Sequence, residues 1–155
     1  MYNHEPKGYV CPFCRFVEGH ESDYNKITDI IYQDESTFAY ISPKWWINNP
    51  GNVIIIPKTH VEHIYDIGDE LLAKIYCTGK KIAIAMKKSY GCDGTLFRQH
   101  NEPSGNQEMY HFHLHLFPRW EEDRFYQNLE NCRYVTASER LPFAEKLRLA
   151  LQESS

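Results

Sequence analysis

Several features that define specialised classes of protein are missing from this sequence. Its 155 residues contain no apolar run of the roughly 18 residues that a membrane-spanning helix needs. The amino terminus, MYNHEPKGYV, lacks the apolar core of a secretory signal, so we expect a cytoplasmic location. The net charge of -4 provides no general attraction to nucleic acids or membranes. We expect neither as a partner.

The cysteine content is also too low for a disulfide-rich protein. The five cysteines are an odd number and lack the density of a secreted disulfide scaffold, so reduced thiols are expected. The overall composition, with 25% charged and 42% hydrophobic residues, is typical of a soluble globular chain. The length fits one domain over residues 1–155, and no repeat, low-complexity tract or long linker divides it.

The spacing of apolar residues predicts an α+β fold. TDIIYQD and STFAYIS predict a β-hairpin, and NVIIIPK predicts a strand that is buried on both faces. Apolar residues recur at helical spacing from Asp69 to about Lys88, and FAEKLRLALQ predicts a shorter helix with Pro142 in its first turn. GTLFRQH and HFHLHLFPR predict further strands. We therefore expect an antiparallel sheet of about five strands with one long and one shorter helix.

One short segment, HFHLHLF at residues 111–117, places histidines at alternate positions between apolar residues. This period of two predicts a strand with His111, His113 and His115 on one face. Burying three imidazoles without a use is unfavourable. A neutral imidazole can bind a metal, transfer a proton near pH 7 or attack an electrophile, and the segment alone leaves these uses open.

The CPFC motif at residues 11–14 has the spacing that lets two thiolates bind one metal ion, usually zinc, but it supplies only half of a tetrahedral shell. A redox dithiol would need a strand before the motif, and none is recognisable there. Two unligated thiols in a turn are the remaining interpretation.

A polar turn, NEPSGNQ at residues 101–107, directly precedes the histidine strand. Its amide side chains and free backbone N–H groups can receive phosphate oxygens without a fixed positive charge. A solvated connecting turn is the alternative interpretation.

The histidine segment resembles the signature of the histidine triad (HIT) family. The similarity extends to PGNVIIIPKTHVEHIYDI and NEPSGNQ and runs from about Cys11 to Arg119, which leaves residues 120–155, with a helix, as a carboxyl-terminal extension. The resemblance implies an antiparallel sheet with helices, usually paired as a homodimer, that binds nucleotides and cleaves a bond at the α-phosphate. The implied substrates are adenosine-type mononucleotide derivatives or dinucleoside polyphosphates.

The same resemblance implies roles for individual residues. The family's middle histidine, here His113 by position, is the nucleophile, and it forms a nucleotidyl-histidine intermediate that water resolves. His115 would contact the phosphate or the leaving group, with Asn101 and Gln107 placing the phosphate oxygens. A nucleotidyl transferase with the same intermediate, and a nucleotide-binding protein without turnover, remain alternatives.

Metal-containing branches of the family bind zinc through an early Cys-x-x-Cys, the histidine after a Pro-Lys turn and the first triad histidine. The matching residues here are Cys11, Cys14, His60 and His111. Two sulfurs and two nitrogens form a closed shell, so the resemblance implies one structural zinc ion per chain.

The chain departs from the family pattern at three places. Asn52 stands where the family commonly has histidine, and it can serve as a hydrogen-bond donor. Tyr40 stands where many members use an acidic residue on the ribose hydroxyls. The connection PKWWINNPGN is longer than usual, and its Trp45 and Trp46 are expected in a loop, packed over a core edge or a dimer interface or stacked on a base.

Three histidines outside the triad carry no predicted role in the chemistry. His63 is expected to be a solvated residue at a helix entry, and His4 and His20 are expected on the surface.

Overall fold

A computed structural model, which describes residues 2–153, contains one large antiparallel sheet and one small one. The strands are β1 Ile30–Gln33, β2 Thr37–Ile41, β3 Lys44–Trp46, β4 Val53–Pro57, β5 Gly94–Gln99, β6 Leu114–Arg119 and β7 Cys132–Tyr134. The large sheet has the order β1-β2-β4-β6-β5, and β3 pairs with β7 in the small sheet. The predicted α+β class with a five-stranded antiparallel sheet is confirmed.

The central strand β4 is buried along its whole length, as its apolar sequence predicts. Residues at alternate positions of β4 lie on opposite faces of the sheet and belong to two different apolar clusters. Val53 and Ile55 belong to the cluster that includes residues of the long helix, whereas Ile54 and Ile56 belong to the cluster around residues 11–16. The second face carries the site described below.

The helices are α1 Pro12–Val17, α2 Asp69–Tyr90 and α3 Ala137–Gln152. Helix α2 follows the prediction at its start and continues two residues beyond Lys88, because Gly91 at φ 64° ends it in the left-handed conformation. Among residues 2–153, no helix is both long enough and apolar enough to cross a membrane.

Helix α3 begins earlier than predicted. The Thr136 N–H donates to Glu139 Oε2 at 2.8 Å, and the Glu139 N–H donates to Thr136 Oγ1 at 3.3 Å. This capping box starts the helix at Ala137, so Pro142 lies inside it and the predicted first-turn position is wrong. Pro142 removes one helical hydrogen bond, but the buried side chains of Ala144 and Leu147 hold the helix on the core.

The two tryptophans lie in strand β3, not in the predicted loop. Trp45 is paired with Arg133 of β7, and its buried ring lies edge-on to Phe143 with centroids 5.0 Å apart. The Trp46 ring packs edge-on to Phe117 at 4.9 Å. Core packing, one of the two interpretations of this pair, therefore holds for Trp45.

A buried ion pair connects α3 to the short 3-10 turn Ile27–Asp29. Arg140 Nε and Nη2 donate to the two carboxylate oxygens of Asp29, each at 2.8 Å, and both side chains are buried. The bidentate geometry satisfies both carboxylate oxygens where water has no access.

Candidate active site and metal cluster

The CPFC motif lies at the start of helix α1. Cys11 is the N-cap residue, and its Sγ accepts a hydrogen bond from the Cys14 N–H at 3.5 Å. Pro12 occupies the first turn, where its missing N–H removes no helical bond. The first helical turn therefore brings both sulfurs to one end of α1.

Four side chains meet at this end of α1. The ligand atoms of Cys11, Cys14, His60 and His111 all lie within 4.8 Å of one another. The Cys11 Sγ lies 3.3 Å from His111 Nδ1, and the Cys14 Sγ lies 3.3 Å from His60 Nδ1. Sulfur and nitrogen atoms bound to one tetrahedral zinc ion are about 3.5 Å apart. The cluster can therefore hold a metal ion, and its donor set fits zinc.

Hydrogen bonds orient both imidazoles of this cluster. His111 Nε2–H donates to the Pro57 carbonyl at 2.9 Å, and His60 Nε2–H donates to Glu5 Oε2 at 2.8 Å. Each ring therefore presents Nδ1 to the sulfurs, an arrangement typical of metal-binding histidines. Burial lowers the pKa of His111 to about 4, which keeps its ring in the neutral form that binds metals.

His113 has the opposite ring orientation. Its Nδ1–H donates to the His111 carbonyl at 2.7 Å, which leaves Nε2 with a free lone pair. Burial lowers the pKa of His113 to about 4, so the ring is neutral at pH 7. The Phe13 ring lies edge-on to both His111 and His113, at 5.7 and 5.4 Å, and so packs the metal cluster against this imidazole.

The prediction that all three histidines lie on a strand is wrong for two of them. Strand β6 begins at Leu114, so only His115 belongs to it. The Phe112 N–H donates to the Val61 carbonyl, outside the sheet, and this bond takes the chain around His111 and His113 away from the strand ladder. The His113 and His115 rings still lie 4.9 Å apart. Desolvation and the neighbouring His113 lower the pKa of His115 well below its ordinary value.

A cavity of about 590 Å³ contains His113 and His115. Tyr40, Ile54, His115 and Arg98 are successive cross-strand partners on β2, β4, β6 and β5, and all four line it. Directly opposed residues share a face of a sheet, so these side chains form a row across its floor. The row thus has the aromatic and apolar side chains of Tyr40 and Ile54 at one end and the cation of Arg98 at the other, with His115 between them.

Tyr40 lines the cavity, as predicted for a ligand-binding residue, but the two amides predicted to bind phosphate lie outside the cavity lining. Asn101 Oδ1 accepts from the Ile64 N–H at 2.8 Å. Gln107 Nε2 donates to the Glu62 and Met109 carbonyls at 2.6 and 3.0 Å. Among the described residues, neither amide is part of the cavity lining. Both hold the turn 101–107 in place.

His100 and Asn106 line the cavity next to these amides. Asn106 belongs to the turn that the sequence predicts to receive phosphate oxygens, whereas His100 was not predicted. His100 Nδ1–H donates to the Gly105 carbonyl at 2.7 Å, and the ring lies 6.0 Å from that of His115. The sequence could have identified His100, because the period of two along the predicted strand GTLFRQH places Arg98 and His100 on one face.

Asn52 and His63 are both fully buried. Asn52 lies outside the cavity lining, and its side-chain Nδ2 and Oδ1 have no hydrogen-bond partner within residues 2–153. The prediction that His63 is solvated is wrong, because α2 begins only at Asp69 and the preceding segment folds inward. The His63 ring packs on Tyr65 with centroids 5.0 Å apart. His4 and His20 are exposed, as predicted.

Residues after Arg119 form one wall of the cavity. Leu129, Cys132 and Tyr134 line it together with Trp46, whose Nε1–H donates to the Leu129 carbonyl at 3.1 Å. No local pattern in the sequence shows that β7 pairs with β3, so this wall was not predicted. The predicted extension is thus part of the candidate site.

The fold and the site define an α+β protein with a histidine-lined cavity beside a Cys2His2 cluster. The chain belongs to the HIT domain family, whose model matches residues 24–122.

Two named relatives and a solved structure are similar to this chain. The chain is 30% identical to an adenosine 5'-monophosphoramidase of Saccharomyces cerevisiae, over 73% of this chain and 65% of that protein. It is 24% identical to a bis(5'-adenosyl)-triphosphatase of Dictyostelium discoideum, over 74% of this chain and 78% of that protein. A zinc-bound histidine triad family protein from Mycobacterium smegmatis superimposes with a TM-score of 0.76 and 26% identity, covering 93% of this chain and 94% of that one. The family thus includes nucleotide hydrolases and zinc-bound members.

Proposed function

We propose that the protein is a nucleotide hydrolase that cleaves at the α-phosphate through a nucleotidyl-histidine intermediate on His113. The observation that carries the proposal is the fixed ring of His113. Its Nδ1–H is bound to the His111 carbonyl, so an unprotonated Nε2 remains for the cavity. Relatives named as a monophosphoramidase and a triphosphatase support the same class of substrate.

In the proposed reaction, His113 Nε2 attacks the α-phosphorus and the bond to the leaving group breaks. The leaving atom takes the electron pair, and an amine leaving group also takes a proton from solvent, which the attacking water returns in the next step. A water molecule then attacks the same phosphorus, releases the nucleoside monophosphate and restores the imidazole. His115, whose ring is 4.9 Å from that of His113, is proposed to contact the phosphate or the leaving group.

The remaining predicted residues surround this centre. Tyr40 lines the cavity and is proposed to contact the nucleoside. Asn101 and Gln107 stay predicted phosphate-binding residues, and their backbone hydrogen bonds favour an effect exerted through the turn they hold. Asn52, buried outside the lining, stays a prediction as a supporting donor.

We further propose that the Cys2His2 cluster holds one zinc ion with a structural role. Cys11, Cys14, His60 and His111 would fill its shell, so no position would remain for substrate. The bound ion would cross-link α1 to the segment before β6 and steady the Phe13 ring against His113. A homodimer and a cytoplasmic location also stay predictions.

Turnover of diadenosine triphosphate and of adenosine 5'-phosphoramidate tests the catalytic proposal. We expect His113→Ala to lower kcat by at least about 10³-fold, because the nucleophile is removed. His20→Ala, which removes an exposed imidazole, is the matched control and should keep full activity. Acid-quenched wild-type protein should carry labelled nucleotide on histidine, and His113→Ala should carry none.

Other results would change the proposal. Equal turnover by wild type and His113→Ala would exclude His113 as the nucleophile. Labelled nucleotide on an added phosphate or sugar-phosphate acceptor, in preference to water, would identify a nucleotidyl transferase. Tight binding without turnover of either substrate would identify a nucleotide-binding protein.

A further inference from the structure

Arg98 is a cation on the cavity floor that the proposed reaction does not yet use. It stands opposite His115 in the pairing of β5 with β6 and lines the cavity. Its Nη1 is buried and has no hydrogen-bond partner in the part of the chain that the structure describes. Because a buried guanidinium N–H without an acceptor is unfavourable, this nitrogen indicates a missing anionic partner.

The guanidinium of Arg98 is held by aromatic rings. Its Cζ lies 6.0 Å from the centroid of Phe117 and 5.7 Å from that of Phe125. The Cζ of Arg119 also lies over Phe125, 4.6 Å from the ring centroid, but the Arg119 guanidinium is paired with Asp123, with Nε 2.6 Å from Oδ2. The aromatic contacts orient Arg98 without neutralising its charge.

The other charged side chains of the cavity do not compensate Arg98. Lys44 and Glu108 both line the cavity and face each other at 3.9 Å, so their charges offset one another. His100 and His115 have no negative form in this pH range. The charge of Arg98 is therefore available to a ligand.

We propose that Arg98 binds an anionic group beyond the α-phosphate, so that the preferred substrates are nucleotides whose leaving group is itself negatively charged, such as a second phosphoryl group. This inference rests on the proposed function and narrows its substrate class. Tyr40 and Ile54 occupy the opposite end of the row from Arg98, with His115 between them. A nucleoside at the apolar end directs the leaving group towards the guanidinium.

The chemistry of the step favours the same assignment. When the bond between the α-phosphorus and the bridging oxygen breaks, that oxygen keeps the electron pair and the leaving phosphate gains negative charge. A nearby guanidinium attracts this charge more strongly in the transition state than in the bound substrate. A neutral amine leaving group gains no such interaction and would leave Arg98 Nη1 without a partner.

Equilibrium binding separates this inference from the catalytic proposal. In His113→Ala protein, which removes the proposed nucleophile, we expect ADP to bind at least about tenfold more tightly than AMP in calorimetric titrations. Adding Arg98→Met should bring the two affinities within about threefold, whereas Arg98→Lys should retain part of the preference. Adding Arg124→Met, a matched change at an exposed position outside the lining, should leave the preference intact.

Kinetics supply the second readout. In protein with His113 intact, Arg98→Met should lower kcat/KM for diadenosine triphosphate by about 100-fold and for adenosine 5'-phosphoramidate by less than about threefold. Equal losses on both substrates, or an ADP preference that does not depend on Arg98, would overturn the assignment. If no nucleotide is hydrolysed but the ADP preference depends on Arg98, the anion site stands and the hydrolase proposal fails.

Discussion

His111 and His113 are two residues apart, yet single hydrogen bonds give their rings opposite orientations. His111 donates through Nε2 to the Pro57 carbonyl and presents Nδ1 to the thiols. His113 donates through Nδ1 to the His111 carbonyl, which leaves Nε2 free. Because burial keeps both rings neutral, the carbonyl that each ring meets decides which nitrogen keeps its lone pair.

A residue-scale prediction concerns Asp123. Its carboxylate accepts hydrogen bonds from Arg119, Asn49 and the backbone N–H groups of Trp120 and Phe125. The hydrogen bonds from Arg119 are the main cause that holds the pKa of Asp123 well below its ordinary value. This stabilisation is fully present above the unfolded pKa, about 4, and is lost as the pH falls through the folded pKa.

We therefore expect Asp123→Asn to lower the free energy of unfolding by about 2 kcal/mol at pH 7. The difference between wild type and variant should shrink steadily below about pH 4. Urea denaturation of both proteins at pH 7, 5 and 3 measures it, and taking the difference cancels the titration of other carboxyl groups. A difference that is the same at all three pH values would contradict the assignment.

At the scale of elements, one buried ion pair connects α3 to the 3-10 turn Ile27–Asp29 that precedes β1. Arg140→Met would leave the Asp29 carboxylate buried without its cation, so we expect a loss of about 3–5 kcal/mol in urea denaturation. Asp29→Leu combined with Arg140→Met should lose less than Arg140→Met alone, because no buried charge is left unpaired.

The exposed pair between Arg133 and Glu139 provides the matched control for this experiment. Arg133→Met should change stability much less than Arg140→Met, since water solvates the remaining carboxylate. Similar losses from the two single substitutions would show that burial does not decide the strength of the Asp29–Arg140 pair.

The elements that the sequence predicts well are those with long periodic patterns. Alternation and apolar runs identify the hairpin, the central strand and α2, because burial of one face acts locally. Strands β3 and β7 have three residues each and are stabilised by each other across a long sequence separation. No local pattern contains that information, so Trp45 and Trp46 were assigned to a loop.

The residues of the candidate site are also of two kinds, those that the sequence predicts and those that it does not. The family motif supplies His113, His115 and the four metal-cluster residues, since fixed spacings carry them. At the end of β5 the motif points to Asn101, whereas His100 lines the cavity. The residue that faces the cavity is set by the point at which strand pairing stops and the turn begins. Tertiary contacts of the turn determine this point, and the local sequence does not show them.

At the scale of the whole molecule, the metal cluster joins segments that are distant in sequence. We expect about one zinc ion per chain in protein purified without chelators, and its removal should lower the Tm by several degrees, since metal binding favours the folded state. Cys14→Ser should lose the metal, whereas Cys77→Ser, at an exposed position outside the cluster, should retain it. Elemental analysis and thermal unfolding measure both effects. Wild-type protein without zinc would contradict the prediction.

The wall formed by Leu129, Cys132 and Tyr134 lies outside the part of the chain that the family model matches. The floor of the cavity, with its histidines, belongs to the matched part. Under the proposed function, part of the ligand-contacting surface is thus encoded outside the stretch that carries the imidazoles and Arg98. If that function holds, exchanging residues 129–134 between relatives would vary the nucleotides that are accepted while leaving the imidazoles and the four metal-cluster residues unaltered, so specificity could change without any change to the proposed nucleophile.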